Sequence, residues 1–118
     1  MRAGAARAGR DILQPHSEGH TGVWHRWDWA LDAEGERHIV VPQRGLILEG
    51  CGALTRETAA LAHVRVWVDG PAHTRKTRAL ERDGDAFRAY WDEWARQEKE
   101  HIQVEAPESL ATIVIDVP

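Results

Sequence analysis

Three short apolar runs separated by helical stretches constrain the fold of this chain more than any other feature of its sequence. The runs occupy residues 45–50, 64–69 and 111–117, and each has an acidic residue at or near its end. The first run lies between glycines and is continuously apolar, as in a strand buried on both faces of a parallel sheet. The alternation of strands and helices predicts an α/β fold with parallel strands.

The residues between the second and third runs predict two helices. Pro71 suits the first turn of a helix that continues to about Arg82, and Asp83-Gly84 breaks the pattern. From Asp85 onward, apolar side chains recur at three- and four-residue steps, which predicts an amphipathic helix of about five turns. A shorter helix is predicted over the alanine-rich residues 55–62.

The N-terminal part of the chain has a different pattern. Residues 1–22 are rich in Ala, Gly, Arg and His. They predict a poorly ordered start with a short helical turn near residues 11–13, which Pro15 discourages from continuing. Residues 23–29 and 37–42 alternate bulky and polar side chains around a turn that contains Gly35. This pattern predicts a β-hairpin inserted before the first apolar run.

Composition limits the class of protein. The chain has 118 residues, of which 42% are hydrophobic and 29% charged, values that are typical of one soluble globular domain. The net charge of −4 argues against a nucleic-acid partner. No apolar run approaches the roughly 20 residues of a membrane helix, and no secretory signal is recognised, so a cytoplasmic location is expected. One cysteine, Cys51, excludes an intramolecular disulfide.

Glu49 is the first candidate for chemistry. It ends the first apolar run and is followed by Gly50 and Gly52, which leave the backbone open to a ligand. A carboxylate at the carboxyl end of a parallel strand could hold Mg²⁺ through water or activate a hydroxyl group. The alternative is that Glu49 simply ends a strand at the surface.

Three arginines form the second candidate. On a helix, Arg75, Arg78 and Arg82 fall within about 60° of one another, so their guanidinium groups share one face. Such a face suits phosphoryl oxygens, which arginine binds through paired hydrogen bonds. The alternative is a solvated basic face balanced by the neighbouring acidic residues Glu81, Asp83 and Asp85.

The third candidate is the segment Arg26-Trp27-Asp28-Trp29. Its aromatic rings could stack on a planar ligand while Asp28 accepts hydrogen bonds, or the hairpin could pack its tryptophans on the domain. No metal site is assigned to His16 and His20, because they lie in a loop without an acidic partner at matching spacing. Cys51 is interpreted as a small buried residue, because no nucleophile–base arrangement accompanies it.

The order of these segments resembles the later part of bacterial uridine-kinase-like ATP-binding proteins, within the P-loop kinase class. That family has an aromatic-Asp-aromatic element before its third strand, and residues 26–29 are similar to it. An apolar strand ending in Glu-Gly follows, similar to residues 46–50. The next strand leads into an arginine-bearing lid, similar to residues 66–69 and 74–83.

The C-terminal part of the resemblance is a helix and a strand. Residues 82–94, followed by Gln97-Glu98, resemble the helix after the lid in actinobacterial members, and residues 113–116 resemble a terminal strand ending in Asp. The resemblance covers residues 11–118. It implies a three-layer, P-loop kinase-like parallel sheet with a β-hairpin insertion, in which residues 71–104 form the lid and the following helix.

The resemblance also implies roles for the candidate residues. It implies that Arg75, Arg78 and Arg82 bind ATP phosphates and that Glu49 acts catalytically near Mg²⁺. It further implies a phosphate-acceptor pocket that includes Arg26, Trp27, Asp28 and Trp29. The expected partners are a nucleotide and a small acceptor molecule, without nucleic acid or membrane.

One essential part of such a kinase is missing. The Gly-rich loop ending in Gly-Lys-Ser/Thr, which binds the β- and γ-phosphates, has no counterpart, and no lysine precedes Lys76. The first two strands and the family's acidic base are missing as well. Residues 1–118 are therefore expected to form one incomplete domain. Three explanations for the missing part are considered: a true start of the gene further upstream, a gene remnant, or a sheet that is completed by a second copy of the chain.

The expected function is that of the C-terminal portion of an ATP-dependent, nucleoside-type kinase, inactive in the 118-residue form. The complete enzyme would transfer the γ-phosphate of ATP to a hydroxyl acceptor. The alternative is a non-catalytic interaction or regulatory module, possible as a homodimer, that uses the Trp-rich hairpin and helix. A weaker alternative is a hydrolase that uses Glu49 and a histidine-bound metal.

Overall fold

Helical turns extend from Arg2 to Ser17 in the computed structural model, which describes residues 1–118. Helix α1 spans Arg2–Ala8, a π-helical turn follows at Gly9–Leu13, and α2 spans Gln14–Ser17. The structure therefore has helix where a poorly ordered start was predicted. Pro15 does not stop the helix because it lies in the first turn of α2, where its missing N–H costs little.

The predicted β-hairpin is confirmed, but its turn was predicted in the wrong place: residues 29–32 form the turn, and Gly35 lies within β2. Strands β1 (Gly22–Asp28) and β2 (Ala33–Val40) are antiparallel, and a bulge between His25 and Trp27 shifts their register. Asp28 closes the turn, because its Oδ1 accepts hydrogen bonds from the N–H groups of Ala30 at 3.0 Å and Leu31 at 3.1 Å. The hairpin packs on the π-helical turn and not on the second sheet.

The second and third apolar runs form a parallel pair, as predicted. Strand β3 spans Val66–Asp69 and strand β4 spans Ile113–Asp116, with Asp69 and Asp116 as register partners at the carboxyl ends. The connection between the strands contains four helices: α4 (Ala72–Asp83), α5 (Asp85–Arg88), α6 (Trp91–Glu105) and α7 (Pro107–Leu110). The short helix α3 (Arg56–Ala59) precedes β3.

Residues 45–50 do not form the buried strand that their apolar sequence predicted. They have no regular secondary structure, and Ile47 is 94% exposed. None of the backbone groups of residues 45–49 makes a hydrogen bond within the protein. The prediction is wrong because a buried parallel strand needs neighbouring strands for its N–H and C=O groups, and no strand lies alongside this segment.

The helix predicted after Gly84 is two helices. Gly84 ends α4 with a φ of +73°, as the predicted break requires, but the following helix is interrupted at Ala89 and Tyr90. Phe87 in α5 contacts two tryptophans of α6, with ring centroids 6.0 Å from Trp91 and 6.2 Å from Trp94. The interruption therefore lies beside an aromatic cluster that joins the two helices.

The parallel pair is partly covered on one face, where Trp67 is half-buried but Val114 remains 43% exposed. Trp67 and Asp69 face a depression that Ile102 of α6 and residues 106–109 also line. The side chains on the opposite face remain about half exposed; they are Val66, Val68, Ile113 and Ile115. Only nine of the 118 residues are buried, so the core is small. The architecture is thus mixed α/β with two small sheets, and none of its helices has the length and apolarity needed to cross a membrane.

Candidate functional site

Arg75 lies at the carboxyl end of β3. Its Nε donates a hydrogen bond to the carbonyl oxygen of Gly70 at 3.0 Å and lies 3.8 Å from the Asp69 carboxylate. Its Nη1 donates to both carboxylate oxygens of Glu98 in α6, at 2.7 and 2.8 Å. Nη2 makes no hydrogen bond, so one edge of the guanidinium group remains open to a ligand.

Arg78 and Arg82 share a face of α4 with Arg75 but differ in their contacts. Nε and Nη2 of Arg82 donate hydrogen bonds to the carboxylate of its neighbour Asp83, at 3.0 and 2.7 Å. For Arg82, this agrees with the alternative of a basic face that is balanced by neighbouring acidic residues. Arg78 is exposed and makes no hydrogen bond or ion pair. The free donors of this face are therefore those of Arg78, the Nη2 group of Arg75 and the Nη1 group of Arg82.

Charged groups of three segments influence the Cys51 thiol: Glu49, Arg82 of α4 and Glu98 of α6. Cys51 is exposed, so its interpretation as a small buried residue is wrong. Partial burial still raises the pKa of its thiol, and the charges of Glu98 and Glu49 raise it further. The hydrogen bond to Asp83 is the main cause of the raised pKa of Arg82, with smaller contributions from Cys51 and Glu49. The structure thus brings Glu49, Arg82 and Glu98 within electrostatic range of Cys51.

The carboxyl ends of β3 and β4 border an open depression. It has a volume of about 430 Å³ and is lined by Asp69, Gly70, Pro71, Asp116, Val117 and Pro118. Gly70 lets the chain pass close to β4, because a Cβ at this position would lie 2.9 Å from the carbonyl oxygen of Val117. In open parallel sheets, ligands bind outside the carboxyl ends of the strands, which is where Arg75 and this depression lie.

Residues 26–29 are not joined to the α4 site. Arg26 binds Glu36 of β2 at 2.6 and 2.8 Å and Asp28 at 3.3 Å. The Arg7 guanidinium group lies 5.9 Å from the ring centroid of Trp27, and Trp29 is 80% exposed. All these contacts connect the segment to the hairpin and to α1. The structure therefore gives this segment no contact with Glu49 or Arg75.

Two residues of α6 were given no role in a site by the sequence patterns. Glu98 binds Arg75 across 23 positions of the chain, and no local spacing signals such a pair. His101 is 9% exposed, and its Nε2 has no hydrogen-bond partner. The structure contains no group of three or more His, Cys, Asp or Glu side chains that could hold a metal ion.

The contact between Arg26 and Glu36 leads to a testable pH dependence. The hydrogen bond from Arg26 lowers the pKa of Glu36 from 4.5 to about 2. Because the folded state favours the charged carboxylate, this contribution to stability is complete above about pH 4.5 and is lost as the pH falls towards 2. We expect an NMR titration of the Glu36 carboxyl carbon to give a midpoint near 2.

Arg26→Ala provides the control for this titration. Without the guanidinium group, the midpoint of Glu36 is expected to rise towards the ordinary value of 4.5. A midpoint that is already near the ordinary value in the unmodified chain would show that the ion pair across the hairpin does not form in solution.

Neither a model of a known protein family nor a curated protein matches the chain. The function is therefore inferred from the contacts around Arg75, the position of the Glu49–Cys51 loop and the motif order described above.

Proposed function

We propose that this chain supplies the phosphate-binding lid and the adjoining strand ends of an ATP-dependent kinase of the uridine-kinase-like, P-loop class. The complete enzyme transfers the γ-phosphate of ATP to a hydroxyl group of a small, nucleoside-type acceptor. The observation that supports this most strongly is the position of Arg75. It lies at the carboxyl end of the parallel β3–β4 pair, with an open Nη2 group.

The unpaired edges of the structure fit a three-layer parallel sheet from which strands are missing. Strand β3 pairs only with β4, and residues 45–50 pair with nothing. The four β-branched side chains on the bare face of the pair would be covered by helices in a three-layer fold. The proposal thus explains why an apolar run has no regular secondary structure and leaves Ile47 exposed.

Arginines are suited to the proposed reaction. Phosphoryl transfer depends on positioning and on stabilising the charge of the transferred group, and little covalent chemistry is needed from the protein. The free donors of Arg75 and Arg78 would bind phosphoryl oxygens. Arg82 would add positive charge after it exchanges Asp83 for the ligand.

The residues present fit the ATP phosphates better than they fit Mg²⁺. The arginine face has open donors, whereas Glu49 is a single carboxylate without further acidic partners that could complete a cation site. Mg²⁺ commonly uses one or two carboxylates together with substrate phosphates, and Glu49 could supply one of them. The same carboxylate could instead accept the proton of the acceptor hydroxyl.

Binding of Mg-ATP is the test of this proposal. Two charge-assisted hydrogen bonds of about 2 kcal/mol each correspond to a Kd on the order of 1 mM. We expect saturable quenching of tryptophan fluorescence, because Trp67 lies in the strand that leads into α4. Quenching should be lost in the Arg75→Ala/Arg78→Ala variant. It should persist in Arg96→Ala, which removes an exposed arginine paired with Glu93 on α6.

No kinase turnover is expected from the 118 residues, because they lack the Gly-Lys-Ser/Thr loop. ATP-dependent phosphorylation of an acceptor by this chain would contradict that part of the proposal. An absence of any fluorescence response from the folded chain would contradict phosphate binding itself.

The second candidate function is a non-catalytic interaction module. The exposed face of β3 and β4 supports it, because contiguous apolar patches on a surface mark interaction sites. This function would be favoured over the kinase if the folded chain shows no fluorescence response to Mg-ATP and forms a dimer in a concentration-dependent way in sedimentation experiments.

A further inference from the structure

The Glu98 carboxylate binds Arg75, the same residue to which the proposed function assigns the binding of phosphate. Both of its carboxylate oxygens accept hydrogen bonds from Nη1 of Arg75, at 2.7 and 2.8 Å. The two side chains are each 32% exposed, so the pair is partly shielded from water. A carboxylate in this position makes the contact that a phosphoryl oxygen would make.

We propose that Glu98 is an internal competitor for the phosphate site: a ligand bound through the open Nη2 group gains full binding by Arg75 only when Nη1 exchanges Glu98 for a phosphoryl oxygen. This inference rests on the proposed function of Arg75. It adds an autoinhibitory contact between two helices: Arg75 belongs to α4 and Glu98 to α6.

The surroundings of Arg75 explain why the exchange needs a highly charged ligand. The guanidinium group already faces two carboxylates, those of Glu98 at 2.7 Å and Asp69 at 3.8 Å, as well as the carbonyl oxygen of Gly70. An anion that approaches Nη2 meets this negative charge. A polyphosphate offsets the repulsion by also reaching Arg78, roughly one helical turn away on the same face.

The exchange also has a consequence for the lid. The ion pair between Arg75 and Glu98 connects α4 to α6, and the Lys76 ammonium group lies 6.0 Å from the ring centroid of Trp91 in α6. When phosphate replaces Glu98, α4 loses this ion pair with α6.

Tripolyphosphate is the probe for this inference, because it has the phosphate chain of ATP without the base. Its binding is measured by tryptophan fluorescence at constant ionic strength, for the unmodified chain and for Glu98→Gln. Glutamine keeps the size of the side chain and removes the charge. We expect Glu98→Gln to bind tripolyphosphate about 2–5-fold more tightly, the range typical of losing one partly exposed ion-pair partner.

Two further variants separate competition from a general change in charge. Glu93→Gln removes an equal charge from α6 where it pairs with Arg96 and not with Arg75, so its affinity should be unchanged. Arg75→Ala/Glu98→Gln should bind no more tightly than Arg75→Ala, because the competitor acts only through Arg75. NMR of the unmodified chain gives an independent measurement. The carboxyl resonance of Glu98 should shift when tripolyphosphate saturates the protein.

The outcomes distinguish this inference from the proposed function. If Arg75→Ala abolishes binding but Glu98→Gln changes it by less than twofold, Arg75 binds phosphate and the competition is refuted. Weaker binding by Glu98→Gln would also refute it and would mean that Glu98 positions Arg75. If no variant binds tripolyphosphate, both the competition and the phosphate site are wrong.

Discussion

Gly22→Ala is expected to lower the free energy of unfolding by about 3 kcal/mol, the upper part of the range for an overpacked site. A Cβ at this position would lie 2.6 Å from the carbonyl oxygen of Asp11 and 3.4 Å from the Cα of Ile12. Both are backbone atoms, so the clash cannot be relieved by a change of rotamer. The hairpin must instead move away from the π-helical turn on which it packs.

Urea unfolding followed by circular dichroism measures this loss, and Gly4→Ala is the matched control. Gly4 lies inside α1, and a Cβ there would have no atom within 4 Å. That substitution should raise stability by about 0.5–1 kcal/mol, because alanine is the better helix former. If Gly22→Ala is as stable as the unmodified chain, the hairpin does not dock on residues 11 and 12 in solution.

The elements that could be predicted from the sequence are those specified by neighbouring residues. The hairpin follows from the alternation in residues 23–29 and 37–42. Its turn, which the Asp28 side chain closes, lies before the predicted position at Gly35. The end of α4 follows from Gly84, whose φ of +73° favours glycine. In both cases the determining contacts span only a few positions of the chain.

The failures concern contacts between distant parts of the chain. Residues 45–50 have the composition of a buried strand, but composition does not supply the neighbouring strands that such a segment needs. The N-terminal residues show the opposite error. Their alanine and glycine content gave little helical periodicity, yet Ala5 and Ile12 are buried, so tertiary packing contributes to these helical turns.

In the candidate site as well, the local features could be predicted from the sequence and the contacts between distant residues could not. The shared face of Arg75, Arg78 and Arg82 follows from helical spacing, and the pairing of Arg82 with Asp83 is local. The contact between Arg75 and Glu98 depends on how α4 packs beside α6, which no spacing rule specifies. Separation of the hairpin segment from this site likewise depends on the docking of the hairpin on the N-terminal helical turns.

Thr58→Val is expected to lower the free energy of unfolding by about 2 kcal/mol, because two backbone groups lose their partner in a buried position. Thr58 is 4% exposed, and its Oγ1 donates to the carbonyl oxygen of Ala53 at 2.6 Å and accepts from the N–H of Thr55 at 2.9 Å. Valine keeps the shape of threonine but makes neither hydrogen bond. These bonds connect α3 to residues 53–55, just after the Glu49–Cys51 loop.

Two matched variants test whether the hydroxyl group is the cause. Thr77→Val, in the exposed part of α4, should change stability by less than about 0.5 kcal/mol. Thr58→Ser keeps the hydroxyl and removes only the methyl group, so it should lose less stability than Thr58→Val. If serine and valine destabilise equally, methyl packing against Gly9 outweighs the hydrogen bonds. If serine retains most of the stability, the Thr58 hydroxyl anchors residues 53–55, which follow the Glu49–Cys51 loop.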